Sequence, residues 1–221
     1  MNALKSVKTL AAALIGGLIL VAGPGQPIPE ARAQQADTGE LTVEEIVFVP
    51  PGGGAPRDRI GAGTRGSGGG TLLRLMAPAS GGVSAISSPR LYWWLSEPYS
   101  GEMEIVVRRD GTNQPLLAMT ETVSLKDGLN SIDLADMGMR LSATKVYHWS
   151  VALKDARVKA LNLVEFRKPG SPLGDGSAIA RAKQLAAQGY WYDAYALIAE
   201  TPGMEKARDA LHAQVGINLP Q

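Results

Sequence analysis

Hydrophobic and polar residues alternate with a period of about two over residues 72–168. This period is typical of β-strands, in which successive side chains point to opposite faces. Turn dipeptides such as Asp110-Gly111 and Asp127-Gly128 separate the apolar runs. Because no helical pattern intervenes, we expect a mainly β domain, built as an antiparallel β-sandwich of the immunoglobulin-like type. The predicted strands are 72–76, 90–96, 103–109, 115–119, 122–125, 131–134, 146–153 and 158–166.

The hydrophobic period changes to that of an α-helix at 172–216, which we interpret as a helical appendage. Gly189 follows the first helical run, where a helix often ends. Thr201 and Pro202 predict the start of a later helix, since threonine caps helices and proline is favoured at their first position. We therefore expect a small C-terminal helical hairpin of two or three helices. The apolar positions at helical spacing are Ile179, Ala182, Leu185, Trp191, Ala194, Tyr195, Ile198, Met204, Ala207, Leu211 and Val215.

Residues 1–33 have the order of a secretory signal peptide. Lys5 and Lys8 precede an apolar run at 9–23, and an Ala-Arg-Ala sequence ends at Ala33. The apolar run is shorter than the roughly 20 residues that span a bilayer. We expect cleavage near Ala33, a periplasmic or secreted product and no transmembrane segment in the mature chain. An uncleaved N-terminal anchor is the alternative.

Residues 34–71 combine a predicted strand at 41–49 with a segment rich in glycine, proline and arginine. Glycine loses much backbone entropy on folding, so we expect this segment to be flexible. It contains a literal G-x-G-x-x-G at 61–66, but without the strand before it and the helix after it that a dinucleotide site needs. Its arginines are candidate contacts for an anionic group or an acidic partner: Arg57, Arg59 and Arg65.

The composition excludes several kinds of chemistry. The chain has no cysteine, which excludes disulfides, thiolate zinc sites and cysteine nucleophiles. Its 22 basic and 21 acidic residues nearly balance, which disfavours nucleic-acid binding. Only His148 and His212 could supply imidazole ligands, so we expect no metal site and no cofactor. Glu102 and Glu104 share one strand face, a spacing that suits a glycosidase pair but is more typical of a solvated surface. We expect no catalytic residue.

Most of the aromatic residues fall in three short clusters, and the cluster around Trp93 allows two interpretations besides the plain one that both strand faces are ordinary core. Strand geometry places Tyr92 and Trp94 on the face opposite Trp93. In the first interpretation the helical segment covers that face, with Tyr190 or Trp191 packing there. In the alternative, the face is an exposed platform that stacks a sugar or a peptide. Its candidate contact residues are Tyr92, Trp94 and Tyr99.

Five motifs occur in an order that resembles an exported bacterial family known as "domain of unknown function 928". The resemblance implies a signal peptide, a β-rich domain and a helical tail, but it supplies no activity and no functional residues. Many members carry a Cys-Asp-Pro-like segment where this chain has Lys154-Asp155, so any role of that cysteine is absent. The motifs are Gly61-Ala62-Gly63-Thr64-Arg65, Leu73-Arg74-Leu75-Met76-Ala77-Pro78, Pro89-Arg90-Leu91-Tyr92-Trp93-Trp94-Leu95, Tyr147-His148-Trp149 and Gly189-Tyr190-Trp191-Tyr192-Asp193-Ala194.

These features favour an exported protein that binds rather than catalyses. We expect a protein-interaction or envelope-assembly module that uses sheet edges, the arginine-rich segment or the helical tail. Its partner would be another envelope protein or a cell-wall glycan. The alternatives are a carbohydrate- or peptidoglycan-binding sandwich with exposed aromatic residues and, less favoured, a hydrolase with acidic residues.

Overall fold

The computed structural model describes residues 46–51, 73–171 and 175–219. The described residues all belong to one compact unit, so the strands and helices described here belong together. The predicted signal peptide at 1–33 and the glycine-rich segment with Arg57, Arg59 and Arg65 lie outside the described residues.

The described chain is mainly β and ends in three helices, as the sequence predicts. The strands are β1 (Leu73–Leu75), β2 (Gly82–Ser84), β3 (Arg90–Leu95), β4 (Tyr99–Arg109), β5 (Pro115–Leu125), β6 (Gly128–Asp133), β7 (Val146–Leu153) and β8 (Val158–Phe166). The helices are α1 (Ala178–Ala187), α2 (Trp191–Glu200) and α3 (Glu205–Gln214).

The strands form two sheets in a sandwich-like arrangement. One sheet has the order β1-β3-β6 and the other the order β2-β8-β7-β4-β5. Every described pairing is antiparallel except that of β2 with β8, in which Gly82 lies opposite Val164. This parallel pair departs from the expected all-antiparallel sandwich, and the immunoglobulin-like subtype is not confirmed.

The predicted strand boundaries agree best with the observed ones where the alternation of apolar and polar residues is uninterrupted. The bounds of β7 and β8 match the prediction, and the two predicted strands at 115–119 and 122–125 form the single strand β5. The sequence analysis did not predict β2, because the pair Gly81-Gly82 indicates a turn. Gly81 is a turn residue with φ +88°, but Gly82 is the first residue of the strand.

The described part of the predicted strand at 41–49 is not a strand. Residues 46–51 instead lie along the helices, and the Val49 N–H donates to the Ala186 carbonyl at 3.0 Å. The side chain of Gln214 holds the same segment: its Nε2 donates to the Ile46 carbonyl at 2.9 Å, and its Oε1 accepts from the Phe48 N–H at 2.8 Å. Residues 46–51 are therefore held by contacts with the helices and not by the hydrogen bonds of a β-ladder.

One aromatic core joins the helices to the sheets. The Tyr192 hydroxyl donates to the Leu163 carbonyl at 2.7 Å and accepts from Trp149 Nε1 at 2.8 Å. Trp191 Nε1 donates to the Met76 carbonyl at 2.9 Å. Because burial of these large rings contributes most to core stability, α2 is an integral part of the core.

Local sequence signals explain both ends of α1 but predict the wrong start for α3. The Ser177 hydroxyl accepts from the Ala180 N–H at 3.2 Å and caps the start of α1, while Gly189, with φ +80°, follows its end. The predicted start of α3 at Thr201 and Pro202 is wrong. The Thr201 hydroxyl instead donates back to the Leu197 carbonyl at 2.6 Å at the end of α2, and α3 begins at Glu205.

Candidate functional site

Strand β5 lies at one edge of the five-stranded sheet, and β4 is its only neighbour among the described strands. The turn between them contains Gly111 with φ +74°, and the Thr112 hydroxyl donates to the Arg109 carbonyl at 2.8 Å. The register shifts once, between Val107 and Arg108 close to this turn, and then continues evenly to the pair Tyr99 and Leu125. Leu116 is the extra residue of a β-bulge on β5, so the outer edge of this strand is regular over 117–125.

The two faces of β5 differ in chemistry. Directly opposite residues of an antiparallel pair share a face, so Leu117 and Met119 lie on the face of the buried residues Val107 and Ile105. This inner face of β5 is only half-buried at its apolar positions. The outer face is exposed and carries small or hydroxyl side chains: Ala118, Thr120, Thr122 and Ser124.

The edge has its protection at one end and at one inward-facing carboxylate, Glu121, and the rest of it is open. Natural edge strands are often short, bulged or lined with lysine or proline, because unpaired backbone groups otherwise attract another strand. Strand β5 has 11 residues, and Glu121 is its only charged side chain. Its proline, Pro115, is at the first position, and Leu116 beside it is the 57% exposed extra residue of a β-bulge. This edge is chemically suited to accept a further strand.

The aromatic residues proposed from the sequence do not form an exposed platform. Tyr92 is 4% exposed, packs edge-on against Tyr195 and donates its hydroxyl to Glu200 at 2.8 Å. Burial and the adjacent Glu200 carboxylate raise the pKa of Tyr92. Helix α2 therefore covers this face as expected, and Tyr195 and Glu200 are its contacts with Tyr92.

Tyr99 and Trp94 complete the predicted aromatic set. Tyr99 is 6% exposed, and its hydroxyl donates to the Glu102 carbonyl at 2.8 Å. Trp94 is half-buried and packs against the core. Because two of the three rings are buried, the set lacks the open surface that sugar stacking requires.

A charged cluster at the end of α2 was not anticipated from the sequence. Arg90 donates to Asp133 on β6 at 3.0 Å and to Glu200 at 2.6 Å. Arg90 thereby connects the small sheet to the helix. The signal is weak in the sequence, because these three residues are far apart along the chain.

The candidate catalytic groups are paired with neighbours in ways that suit a structural role. Glu104 forms an ion pair with Lys154 at 3.1 Å. His148 Nε2 lies 2.8 Å from Asp110, and this hydrogen bond lowers the pKa of Asp110. In the ranges that the structure describes, no group of three or more His, Asp or Glu side chains could hold a metal ion.

An aspartate and a histidine of the helical part, Asp193 and His212, have strongly shifted pKa values. Asp193 accepts from the Ala85 N–H at 2.7 Å and from the Ser84 hydroxyl at 3.2 Å, which ties α2 to the end of β2. Burial raises the pKa of Asp193 to about 6, although these hydrogen bonds oppose the shift. His212, on α3, is 4% exposed, and its Nε2 lies 2.9 Å from the Tyr195 hydroxyl. Burial, helped by Arg208, lowers the pKa of His212 to about 4.

Comparison with known proteins adds a family but no activity. No helix among the described residues is long and apolar enough to cross a membrane. A comparison with curated proteins found no match. A family model described as Domain of Unknown Function (DUF928) matches residues 53–216, which is more than half of the chain. The match covers both sheets and all three helices, and the chain belongs to this DUF928 family.

Proposed function

We propose that this protein is an exported, non-catalytic interaction or envelope-assembly module that binds an extended segment of a partner along β5. The observation that carries the proposal is an edge strand that is regular over 117–125 and has a single charged side chain. Export to the periplasm or the cell exterior is part of the proposal and rests on the sequence pattern of residues 1–33.

Addition of a strand would give the partner both affinity and selectivity. The free backbone N–H and C=O groups of an edge supply the affinity, and alternate side chains supply the selectivity. On β5 the inner face offers Leu117, Met119 and Val123, each half-buried. The outer face offers hydroxyl groups. The matching partner segment alternates apolar residues with small polar ones and carries little charge.

Binding rather than catalysis is supported by how the acidic and imidazole groups are used. Glu104 faces Lys154, and His148 faces Asp110. Glu102 contributes its backbone N–H, which donates to Asp155 at 3.1 Å. The alternative of a glycan-binding surface retains only Trp94 from its proposed aromatic set, because Tyr92 and Tyr99 are buried.

Site-specific photocrosslinking along β5 tests this function. A photoreactive residue is placed in turn at Thr120, Thr122 and Ser124, and at Ala213 on α3 as an exposed control. If a partner strand lies beside β5, successive positions crosslink to partner residues that advance in steps of two, as mapped by mass spectrometry of the linked peptides. Crosslinks without this order, or equal capture at Ala213, would contradict binding along the edge.

A further inference from the structure

We infer that one end of the two sheets docks on an anionic lipid surface. This end, called the basic end below, consists of the connections at 85–89, 110–114 and 134–145, the residues 167–171 after β8, and the strand ends that border them. The inference goes beyond the proposed function, because it concerns these loops and not the edge of β5. It rests on an excess of positive charge together with exposed apolar side chains.

The strand order brings these connections to one end of the molecule. Strands β4 and β8 end there and β5 and β7 begin there, because each pair of neighbours among them is antiparallel. The Arg167 N–H donates to the Ser84 carbonyl at 2.9 Å, which joins the residues after β8 to the end of β2. The Leu141 N–H donates to the Ser87 carbonyl at 2.7 Å, which joins the β6–β7 loop to the β2–β3 loop. All four connections therefore share one end.

The basic end has six basic and three acidic side chains, so positive charge is in excess. Two of the three carboxylates are already bonded: Asp110 lies 2.8 Å from His148 Nε2, and Glu165 lies 3.1 Å from Arg167. The third is Asp136 on the β6–β7 loop. All but the first of the basic residues are exposed, and they are Arg108, Arg109, Arg140, Lys145, Arg167 and Lys168.

The neighbouring charges do not cancel this excess. Arg90, at the start of β3, is bonded to both Asp133 and Glu200, and this cluster carries one excess negative charge against three excess positive charges at the basic end. At the other end of the strands, acidic and basic residues of the connections balance. These residues are Glu97, Lys126, Asp127, Lys154, Asp155 and Arg157. The positive charge is therefore concentrated at one end.

Large apolar side chains are exposed at the same end. Ile86 on the β2–β3 loop is 52% exposed, Leu116 at the start of β5 is 57% exposed, and Met137 on the β6–β7 loop is 40% exposed. Leu116 is the extra residue of the β-bulge, and a bulge re-aims a side chain away from the regular strand. In the described ranges, the other large apolar side chains with such exposure are Val47 and Val49, on the segment along the helices.

Exposed apolar side chains among basic residues suit the surface of an anionic membrane. Basic residues are attracted to acidic headgroups, and apolar side chains enter the boundary between headgroups and acyl chains. Ile86 follows β2 and Leu116 begins β5, the two outermost strands of the five-stranded sheet, so about 19 Å separates these two contacts. A membrane offers a continuous surface of that width, whereas a small anion would use the charges alone.

Environment-sensitive fluorescence tests the orientation, because the natural chain has no cysteine and single labels can be placed. Leu116→Cys and Met137→Cys carry the dye at the basic end, and Lys126→Cys carries it at the other end. Phosphatidylcholine vesicles with about one third phosphatidylglycerol should shift the emission of the first two labels to shorter wavelength and leave the third unchanged. Vesicles of phosphatidylcholine alone should give a smaller shift, since they lack the anionic headgroups.

A matched pair of double variants of the full chain tests the charge. Arg109→Glu with Lys145→Glu should weaken cosedimentation with the phosphatidylglycerol vesicles about tenfold or more. Lys126→Glu with Lys159→Glu changes the net charge equally but away from the basic end, and should weaken it much less. Both variants keep residues 1–72 unchanged, so any contribution of that part of the chain is the same in both. Thermal unfolding checks that both are folded.

The outcomes distinguish the lipid surface from other partners. Equal emission shifts at positions 116, 137 and 126, equal weakening by both double variants, or no binding to the phosphatidylglycerol vesicles would each overturn docking through the basic end. If the vesicles do not bind and a photoreactive residue at position 116 crosslinks to an acidic protein, the surface belongs to a protein partner. The proposed function is read separately, from crosslinks along the edge of β5.

Discussion

Asp193 and His212, both in the helical part, should oppose each other in the pH dependence of stability. Asp193 has a folded-state pKa of about 6, above its ordinary value of 3.8. The folded state therefore binds the proton more tightly than the unfolded state, and the free energy of unfolding falls as pH rises from 3.8 to 6. His212 has a folded-state pKa of about 4, below its ordinary value of 6.5. The unfolded state binds that proton more tightly, so the free energy of unfolding rises as pH rises from 4 to 6.5.

The two contributions are similar in size. Each shift exceeds two pH units, and one unit corresponds to about 1.4 kcal/mol, so each group changes stability by about 3 kcal/mol across its own range. Between pH 4 and 6 the slopes have opposite signs and nearly cancel. Removal of one group should therefore expose the slope of the other.

Two single substitutions separate these contributions. His212→Gln keeps a side chain that can bond to the Tyr195 hydroxyl but cannot titrate, and it should lose stability relative to the natural protein as pH rises from 4 to 6. Asp193→Asn should gain stability relative to the natural protein over the same range. Urea unfolding followed by tryptophan fluorescence at four pH values gives both differences. If either difference stays constant between pH 4 and 6, the assigned burial of that group is refuted.

Two further predictions concern the core and the close contact at the end of α1. Tyr192→Phe leaves the Trp149 N–H without its acceptor and should lower the free energy of unfolding by about 2 kcal/mol in urea titrations; an unchanged midpoint would contradict this. Gly189→Ala adds a methyl group 2.9 Å from the Val49 carbonyl and should destabilise more than Gly203→Ala, which has a similar φ but nothing within 4 Å. Equal shifts in Tm would show that the contact at Val49 contributes nothing.

Local periodicity predicted those elements whose pattern depends on one face being buried. On β7, Tyr147 and Trp149 alternate with less buried residues, and the predicted bounds of this strand are those observed. Strand β2 has only three residues and exists because it pairs with β8, about 80 positions along the chain. A local pattern carries no information about such a pairing.

The sequence predicts strand structure at the candidate site, but it does not predict that β5 lies at the edge of the sheet. The run at 115–125 indicates strand structure, whereas its position at the end of the sheet depends on the order of five strands. Tyr92 was placed on the correct strand face by alternation. Its burial depends on Tyr195 and Glu200, which approach from a helix more than 100 residues away.

The contact of Gln214 with residues 46–51 has a consequence for the biogenesis of the protein. Its amide group binds Ile46 and Phe48, which precede it by 168 and 166 positions. The first described segment therefore cannot reach its final place until the last helix has been synthesised. Contacts of such long sequence separation slow folding, so residues 46–51 dock on the helices only after Gln214 has been synthesised, later than the strands between them can pair.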